Sequence, residues 1–179
     1  DMGFIGKIHR ILEVVPRKRQ NMLFSATMSE LVRRIAGDFL AFPTVIEVTE
    51  QATPAATVTQ SLYKAPNLRT KLHLLQVLFK DDEAFHRVIV FCKTKTVADN
   101  IFVYLDRKYT SDEVRVIHAN KGQNTRINSI NAFKDGEVRI LVATDVAARG
   151  LDVSNVSHVI NFDVPIVIED YVHRIGRTG

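Results

Sequence analysis

Apolar residues along the chain fall into two alternating kinds of segment. Short runs rich in β-branched residues lack the polar–apolar alternation of a half-exposed strand, and such runs are typical of strands buried on both faces of a parallel sheet. Between these runs, apolar residues recur at helical spacing. The runs that predict strands are 22–24, 45–46, 88–91, 114–117, 140–142 and 159–160.

Three stripes of apolar residues predict amphipathic helices in the larger, C-terminal part of the chain. Asn67 directly precedes the first stripe, Thr94 lies three residues before the second, and both predict N-caps. The alternation of strands and helices predicts right-handed βαβ units, and thus an α/β fold whose parallel sheet carries helices on both faces. The stripes are Leu68, Leu72, Leu75 and Phe79; Val97, Ile101 and Leu105; and Ile127, Ile130 and Phe133.

Residues 49–57 interrupt both patterns. This segment is small, polar and proline-containing, so it predicts a linker between two domains. Residues 58–179 form the better candidate for an independent domain. Residues 1–48 offer a helix, a strand, a helix and a strand, which is too little to bury an apolar face. We therefore predict that residues 1–48 pack against another copy, exchange between chains, or collapse on the larger domain.

Composition narrows the class of protein only slightly. The net charge of +4 and the pI near 9.3 permit a polyanionic partner but do not argue for one. No apolar run reaches the roughly 18 residues of a membrane span, so we predict no membrane contact. The single cysteine, Cys92, excludes an intramolecular disulfide and favours a reducing compartment, which predicts a cytoplasmic protein.

Candidate chemistry gathers after the predicted strands. Open parallel sheets bind ligands at the carboxyl ends of their strands, often at helix N-termini. Polar, cationic and glycine residues occupy these positions, and the last predicted helix is rich in arginine. The sequence therefore predicts a polyanion-binding edge. The segments concerned are 25–27, 92–95, 118–123, 143–152 and 173–179.

Several of these segments resemble the motifs of DEAD-box RNA helicases. Residues 147–152 (Ala-Ala-Arg-Gly-Leu-Asp) and 173–179 (His-Arg-Ile-Gly-Arg-Thr-Gly) resemble motifs V and VI. Ser-Ala-Thr at 25–27 looks like motif III, 90–95 like motif IV, and Gln123 with Arg126 like the family's Q-x-x-R. Residues 1–4 are similar to the stretch after the Asp-Glu-Ala-Asp motif. The resemblance covers essentially the whole chain, in order, and is nearest to bacterial RhlE-type helicases.

This resemblance implies a motor of two RecA-like lobes that binds ATP and Mg²⁺ in the cleft between them. Residues 1–48 would be the end of the first lobe, and residues 58–179 most of the second lobe, truncated within motif VI. No G-x-x-x-x-G-K-[ST] phosphate loop occurs in the sequence, and the Asp-Glu-Ala-Asp carboxylates are also missing. We therefore expect Mg²⁺ to be bound mainly by the missing first lobe, and the fragment alone to be inactive.

The resemblance also implies roles for individual residues. Single-stranded or structured RNA would be held through its sugar–phosphate backbone, and such contacts position RNA without specifying its sequence. The implied catalytic residues are Arg177, Arg174 and His173; the ATP-binding residues are Asp152, Arg177 and Gly150; the RNA-binding residues are Thr94, Lys95, Gly122, Arg126, Thr144 and Gly150; and the residues that couple the two lobes are Ser25, Thr27, Gln123 and Arg149.

Structural alternatives stay open for several of these residues. Arg149 could instead pair with Asp145 or Asp152, and Arg174 could be a structural ion-pair partner. Gln123 and Arg126, three residues apart on one helix, could form an exposed polar face. Ala119 replaces the glycine that usually follows the motif histidine, and a positive φ there would cost about 1 kcal/mol.

Three functions are compatible with the sequence. The first is RNA-dependent ATP hydrolysis coupled to local duplex unwinding or to the remodelling of RNA–protein complexes. The second is a non-catalytic RecA-like module that binds RNA or protein. The third is a DNA helicase of the same superfamily, against which only the resemblance of motifs V and VI speaks.

Overall fold

The chain divides into two compact units, Asp1–Gln51 and Ala52–Gly179. A computed structural model describes most of both units, whereas the predicted linker at 49–57 lies outside the described residues. The described residues are 5–25, 28, 30–47, 58–109, 112–148, 153 and 156–178.

The first unit contains two helices, α1 (Ile5–Val14) and α2 (Glu30–Phe39), as predicted. The predicted strands at 22–24 and 45–46 are wrong, because neither segment has a regular secondary structure. A strand requires a neighbouring strand to complete its backbone hydrogen bonds, and the described part of this unit provides none. Instead, the Asn21 side-chain amide donates to the Phe39 carbonyl at 3.1 Å and ties this segment to the end of α2.

Large apolar side chains of the first unit stay in contact with solvent. Val14 is 85% exposed, Phe24 88% and Ile46 81%, and α1 has no buried residue. The two helices therefore do not form a core of their own from the residues that the structure describes. The predicted dimer or chain exchange stays a prediction.

The second unit alternates helices and strands, and the strands predicted at 88–91, 114–117, 140–142 and 159–160 are confirmed. None of the helices in the described part of the chain is long and apolar enough to cross a membrane. The elements are α3 (Leu68–Leu78), β1 (Val88–Cys92), α4 (Lys95–Asp106), β2 (Val114–Ile117), α5 (Gln123–Lys134), β3 (Ile140–Thr144), α6 (Asp145–Ala148), β4 (His158–Asn161) and α7 (Ile168–Ile175).

The four strands form one parallel sheet in the order β2-β3-β1-β4. Cys92 at the end of β1 is in register with Thr144 at the end of β3. Because all strands point the same way, the segments that follow them meet at one edge of the sheet. We call this edge the carboxyl rim and define it by residues 93–95, 118–123, 144–148 and 161–163.

The core lies on both faces of the sheet. Val88 and Val90 point to the face covered by α3 and α4, where Phe79 is buried. Ile89 and Phe91 point to the opposite face, covered by α5 and α6, where Phe133 is buried. The predicted parallel sheet with helices on both faces is therefore confirmed.

Candidate functional site

Arg174 of α7 is buried against the carboxyl rim, with 3% of the residue exposed. Its Nε donates to Asp145 Oδ1 at 2.6 Å, and its Nη2 donates to Asp145 Oδ2 at 2.8 Å. Its Nη1 donates to Asn161 Oδ1 at 2.8 Å and to the Asp163 carbonyl at 2.7 Å. The guanidinium plane also lies over the Phe91 ring, 5.1 Å from the centroid.

This geometry favours the ion-pair alternative for Arg174 over the catalytic role that was predicted for it. A guanidinium that contacts a ligand has to direct hydrogen atoms away from the protein, whereas three nitrogens of Arg174 donate to the chain's own oxygens. Buried charges that are paired in this way are expensive to disturb. We therefore interpret Arg174 as a residue that joins α7 to the ends of β3 and β4.

A shallow pocket opens beside the Arg174–Asp145 pair. It brings together the three residues predicted as catalytic, because α7 presents His173 and Arg174 in its last turn and Arg177 comes directly after the C-cap Gly176. The backbone N–H of Arg177 donates to the Arg174 carbonyl at 3.3 Å, which continues the helical turn. The residues that line the pocket are Phe91, Asp145, Ala148, Asp170, His173, Arg174 and Arg177.

The N-terminus of α4 lies on the rim directly after β1. Thr94 caps this helix as predicted, since its Oγ1 accepts a hydrogen bond from the Val97 N–H at 3.2 Å. Lys95 is the first helical residue, and its side chain is exposed. A capped helix start with an adjacent cation offers backbone N–H groups and positive charge to an anion.

The N-terminus of α5 lies on the same rim. Gly122 is its N-cap, without a side-chain cap, and a Cβ there would meet only Thr125 Oγ1 at 3.9 Å. The chain itself therefore leaves room for a side chain at Gly122. Arg126 donates to Gln123 Oε1 at 3.2 Å and to the Ala147 carbonyl at 3.4 Å. Arg126 thus joins α5 to α6 and also contacts Gln123 on its own helix, which goes beyond the alternative of an exposed polar face.

His118 organises the loop between β2 and α5 from a buried position. Its Nδ1 accepts from the Asn120 N–H at 3.3 Å, so Nε2 carries the proton and donates to Asp99 Oδ1 at 3.0 Å. Lys121 Nζ approaches the same oxygen at 3.3 Å. Burial acts to raise the pKa of Asp99, but the hydrogen bonds from His118 and Lys121 outweigh it and hold that pKa below its ordinary value.

The strain considered for Ala119 is absent. Among the described residues other than glycine, positive φ occurs at Phe42 and not at Ala119. The backbone of the loop that leads to Gly122 therefore accommodates Ala119 without the free-energy cost of a positive φ.

Cys92 and Thr144 end the two central strands side by side. Thr144 is buried apart from a small exposed fraction, and Cys92 is fully buried, with its thiol donating to the Ala143 carbonyl at 3.4 Å. Burial, reinforced by the charge of Asp163, raises the pKa of Cys92 to about 12. Cys92 is thus a core residue, and its thiol is not a nucleophile at neutral pH.

Some predicted residues cannot be placed in the site. Thr27, Arg149, Gly150 and Asp152 lie outside the described residues. Ser25 is described, but in the first unit, where it is exposed. The predicted ribose contact and the predicted coupling between lobes therefore stay predictions.

Three carboxylates that organise the rim were not among the predicted site residues. Asp145 directly follows β3, Asp163 follows β4 by two positions, and Asp99 lies just over one turn into α4. The first two positions could have been found by treating acidic residues after strands in the same way as the cations. Asp99 gives no such signal, because it lies within a helix and does not follow a strand.

Comparison with known proteins identifies the family. Residues 70–179 match the model of the helicase conserved C-terminal domain. The whole chain is 39% identical over 181 residues to DEAD-box ATP-dependent RNA helicase 14 of Arabidopsis thaliana, covering 29% of that protein. It is 43% identical over 180 residues to DEAD-box ATP-dependent RNA helicase CshA of Geobacillus kaustophilus, covering 38% of that protein. The chain thus spans between a quarter and two fifths of the length of these relatives.

Solved structures agree with this assignment. A structure of Saccharomyces cerevisiae Dbp5 bound to RNA and ADP BeF3 matches 100% of this chain and 46% of its own, with a TM-score of 0.85 and 29% sequence identity. Together with the four-stranded parallel sheet, this similarity confirms the predicted RecA-like lobe. The chain belongs to the DEAD-box family of RNA helicases and contains the helicase conserved C-terminal domain.

Proposed function

We propose that the protein to which this chain belongs couples RNA-dependent ATP hydrolysis to local unwinding of RNA duplexes or to remodelling of RNA–protein complexes. The observation that carries the proposal is the carboxyl rim. The pocket at His173 and Arg177 lies at this edge of the sheet, and so do the N-termini of α4 and α5. The names of the relatives and the ligands of the Dbp5 structure support ATP and RNA as the two ligand classes.

RNA binds the helix starts of the rim in this proposal. The N–H groups at the start of α4 and of α5 donate hydrogen bonds to backbone phosphates, and the positive charge of Lys95 neutralises a phosphate and so releases counterions. Thr94 uses an oxygen lone pair to cap α4, which leaves its hydroxyl hydrogen for a ligand. Gly122, which has no side chain, allows the sugar–phosphate backbone a close approach, and Thr144 lies on the same rim at the end of β3. Such contacts hold RNA without regard to sequence.

ATP binds beside the pocket in this proposal, and Arg177 contacts its phosphates. Asp152 is proposed to bind the ribose, and Gly150 is proposed as a further ATP-binding residue. A cation at that position stabilises the charge that spreads over the transferred phosphoryl group. Arg174 contributes indirectly, by fixing α7 against β3 and β4. The described residues contain no group of three His, Cys, Asp or Glu side chains that could hold a metal. Mg²⁺ is bound in this proposal mainly by the first lobe of the full-length protein, as the family resemblance implies.

ATP hydrolysis by the full-length protein in the presence of single-stranded RNA or DNA of equal length tests the proposal. We expect RNA to stimulate hydrolysis and DNA to do so far less. Arg177→Ala should lower the stimulated rate by at least about tenfold, whereas Asp112→Ala, at an exposed position before β2, should leave it unchanged. RNA binding without stimulated hydrolysis would instead support the non-catalytic module.

Nucleotide affinity tests the ribose assignment separately. We expect Asp152→Ala to weaken the binding of ATP and of ADP to a similar extent, because both carry the same ribose. An unchanged affinity would remove Asp152 from the proposed site without affecting the assignment of Arg177.

A further inference from the structure

The carboxylate of Asp163 joins two elements of the second unit. Its Oδ1 lies 3.1 Å from Lys71 Nζ on α3, and its Oδ2 accepts a hydrogen bond from the backbone N–H of Lys93 at 3.0 Å. Lys71 Nζ also donates to the Phe162 carbonyl at 2.7 Å and lies 4.9 Å from the centre of the Phe162 ring. Lys71 therefore fixes the carboxylate from one side, and the carboxylate fixes the loop between β1 and α4.

The main chain of the same residue contacts Arg174, which lines the pocket. The Asp163 carbonyl accepts from Arg174 Nη1 at 2.7 Å, and Arg174 in turn holds Asp145. A continuous series of hydrogen bonds thus runs from the Lys93 N–H through Asp163 to the pair beside the pocket. Each bond in this series is 3.0 Å or shorter.

The anchored N–H lies immediately before the start of α4. Thr94 caps the helix and Lys95 begins it, so the direction of the Lys93 peptide sets where the cap and the first N–H groups of α4 point. Helix-start N–H groups bind phosphate only when they converge on it. By charge alone, a carboxylate next to a phosphate site weakens phosphate binding. The presence of Asp163 at this place therefore indicates a role other than its charge.

We propose that Asp163 is a positioning residue for RNA binding, which aligns the start of α4 by holding the Lys93 N–H. The inference rests on the proposed function, since it assumes that RNA binds at this helix start. Lys71 neutralises the carboxylate, so that Asp163 serves as a hydrogen-bond acceptor with little repulsion of the ligand.

Charge and positioning predict opposite effects for the loss of Asp163. Removing a negative charge near a polyanion strengthens its binding. Removing the acceptor of the Lys93 N–H loosens the helix start and weakens binding. Asp163→Asn and Asp163→Ala remove the same charge, but only asparagine keeps an oxygen that can accept from Lys93. The difference between these two variants therefore isolates the hydrogen bond.

The test measures the affinity of the full-length protein for a short single-stranded RNA by fluorescence anisotropy. We expect Asp163→Ala to weaken RNA binding about tenfold, the effect of one lost charge-assisted hydrogen bond, and Asp163→Asn to stay within about threefold of the unmodified protein. Asp112→Ala removes an equal charge from a side chain that is 90% exposed, and it should not weaken binding. The KM for ATP should change less than the affinity for RNA. Both Asp163 variants keep the main-chain carbonyl, which is the group that contacts Arg174 beside the pocket.

Each outcome bears on the inference. If Asp163→Ala binds RNA as tightly as the unmodified protein or more tightly, or if Asp163→Asn loses as much affinity as Asp163→Ala, the inference is overturned. Thermal unfolding shows whether Asp163→Ala is folded at the assay temperature. If it is not, Asp163→Ser, whose hydroxyl is too short to replace the carboxylate oxygen, is compared with Asp163→Asn by the same criteria. Failure of the unmodified protein to bind RNA would instead contradict the proposed function.

Discussion

Arg174 and Asp145 meet in a two-point contact, with Nε 2.6 Å from Oδ1 and Nη2 2.8 Å from Oδ2. The pair connects α7 to the residue that follows β3, and the same guanidinium reaches the end of β4 through Asn161. Bidentate geometry of this kind is specific to arginine among the cationic side chains. The shape of the pocket beside this pair thus depends on the Arg174 side chain, whether or not a ligand in the pocket contacts Arg174.

Arg174→Ala should lower the free energy of unfolding by about 2–4 kcal/mol, because Asp145 and Asn161 lose their donor in a poorly solvated position. Arg174→Lys should recover only part of this, since an ammonium cannot make both contacts with Asp145. Urea unfolding measures both values. Asp112→Ala, which breaks a solvent-exposed pair with Arg115, should change stability by no more than about 0.5 kcal/mol. A similar loss in both alanine variants would contradict the structural role of Arg174.

The thiol of Cys92 should be unreactive in the folded protein. With its pKa raised to about 12 by burial, about one thiol in ten thousand is ionised at pH 8, and only the thiolate attacks electrophiles. We expect iodoacetamide to label Cys92 at pH 8 after unfolding in urea but not before. Rapid labelling of the folded protein, with unchanged circular dichroism, would show that the end of β1 is open to solvent.

Stability should fall in acid partly through Asp99. Its pKa in the folded protein lies below the ordinary value of 3.8, so its contribution is present above that value and is lost as the pH falls through the folded pKa. Because the Asp99 side chain is 45% exposed, the effect should be only a few tenths of a kcal/mol. Urea midpoints from pH 5 to pH 2.5 should fall less steeply in Asp99→Asn. Parallel curves for the two proteins would contradict this prediction.

Thr94 should contribute to stability as well as to RNA binding. Thr94→Ala removes the acceptor of the Val97 N–H and should cost about 1 kcal/mol, whereas Thr94→Ser keeps the hydroxyl and should cost little. Urea unfolding separates this capping effect from any change in RNA affinity. If Thr94→Ala proved as stable as Thr94→Ser, the cap would not contribute, and Thr94 would have to be explained by ligand contact alone.

The second unit could be predicted from sequence because its signals are local. A strand such as 88–91, apolar at successive positions, can be buried on both faces only in a helix-covered sheet. Asn67 and Thr94 could be predicted as caps because a side-chain acceptor three residues before a free N–H acts within one turn: Asn67 Oδ1 accepts from the Thr70 N–H at 2.9 Å and Thr94 Oγ1 from the Val97 N–H.

The features that could not be predicted from the sequence depend on partners that are distant in the chain. The segments 22–24 and 45–46 have the composition of buried strands, but composition does not supply the neighbouring strand. The pairing of Lys71 with Asp163 joins α3 to the loop after β4. For Asp145, both Arg149 and Arg174 were reasonable partners by charge, and only the packing of α7 shows that Arg174 takes this position.

The strand order has a consequence for how the second unit is assembled during synthesis. β1 lies in the interior of the sheet, yet both of its neighbours, β3 and β4, are made after β2. The strands closest in sequence that pair are β2 and β3, joined by one crossover through α5. We therefore expect this crossover to form first, β1 to insert beside β3 afterwards, and β4 to close the sheet last. Until β3 and β4 have been made, the backbone of residues 88–91 has no neighbouring strand to pair with. We therefore expect this short apolar segment to be prone to aggregation on a nascent chain.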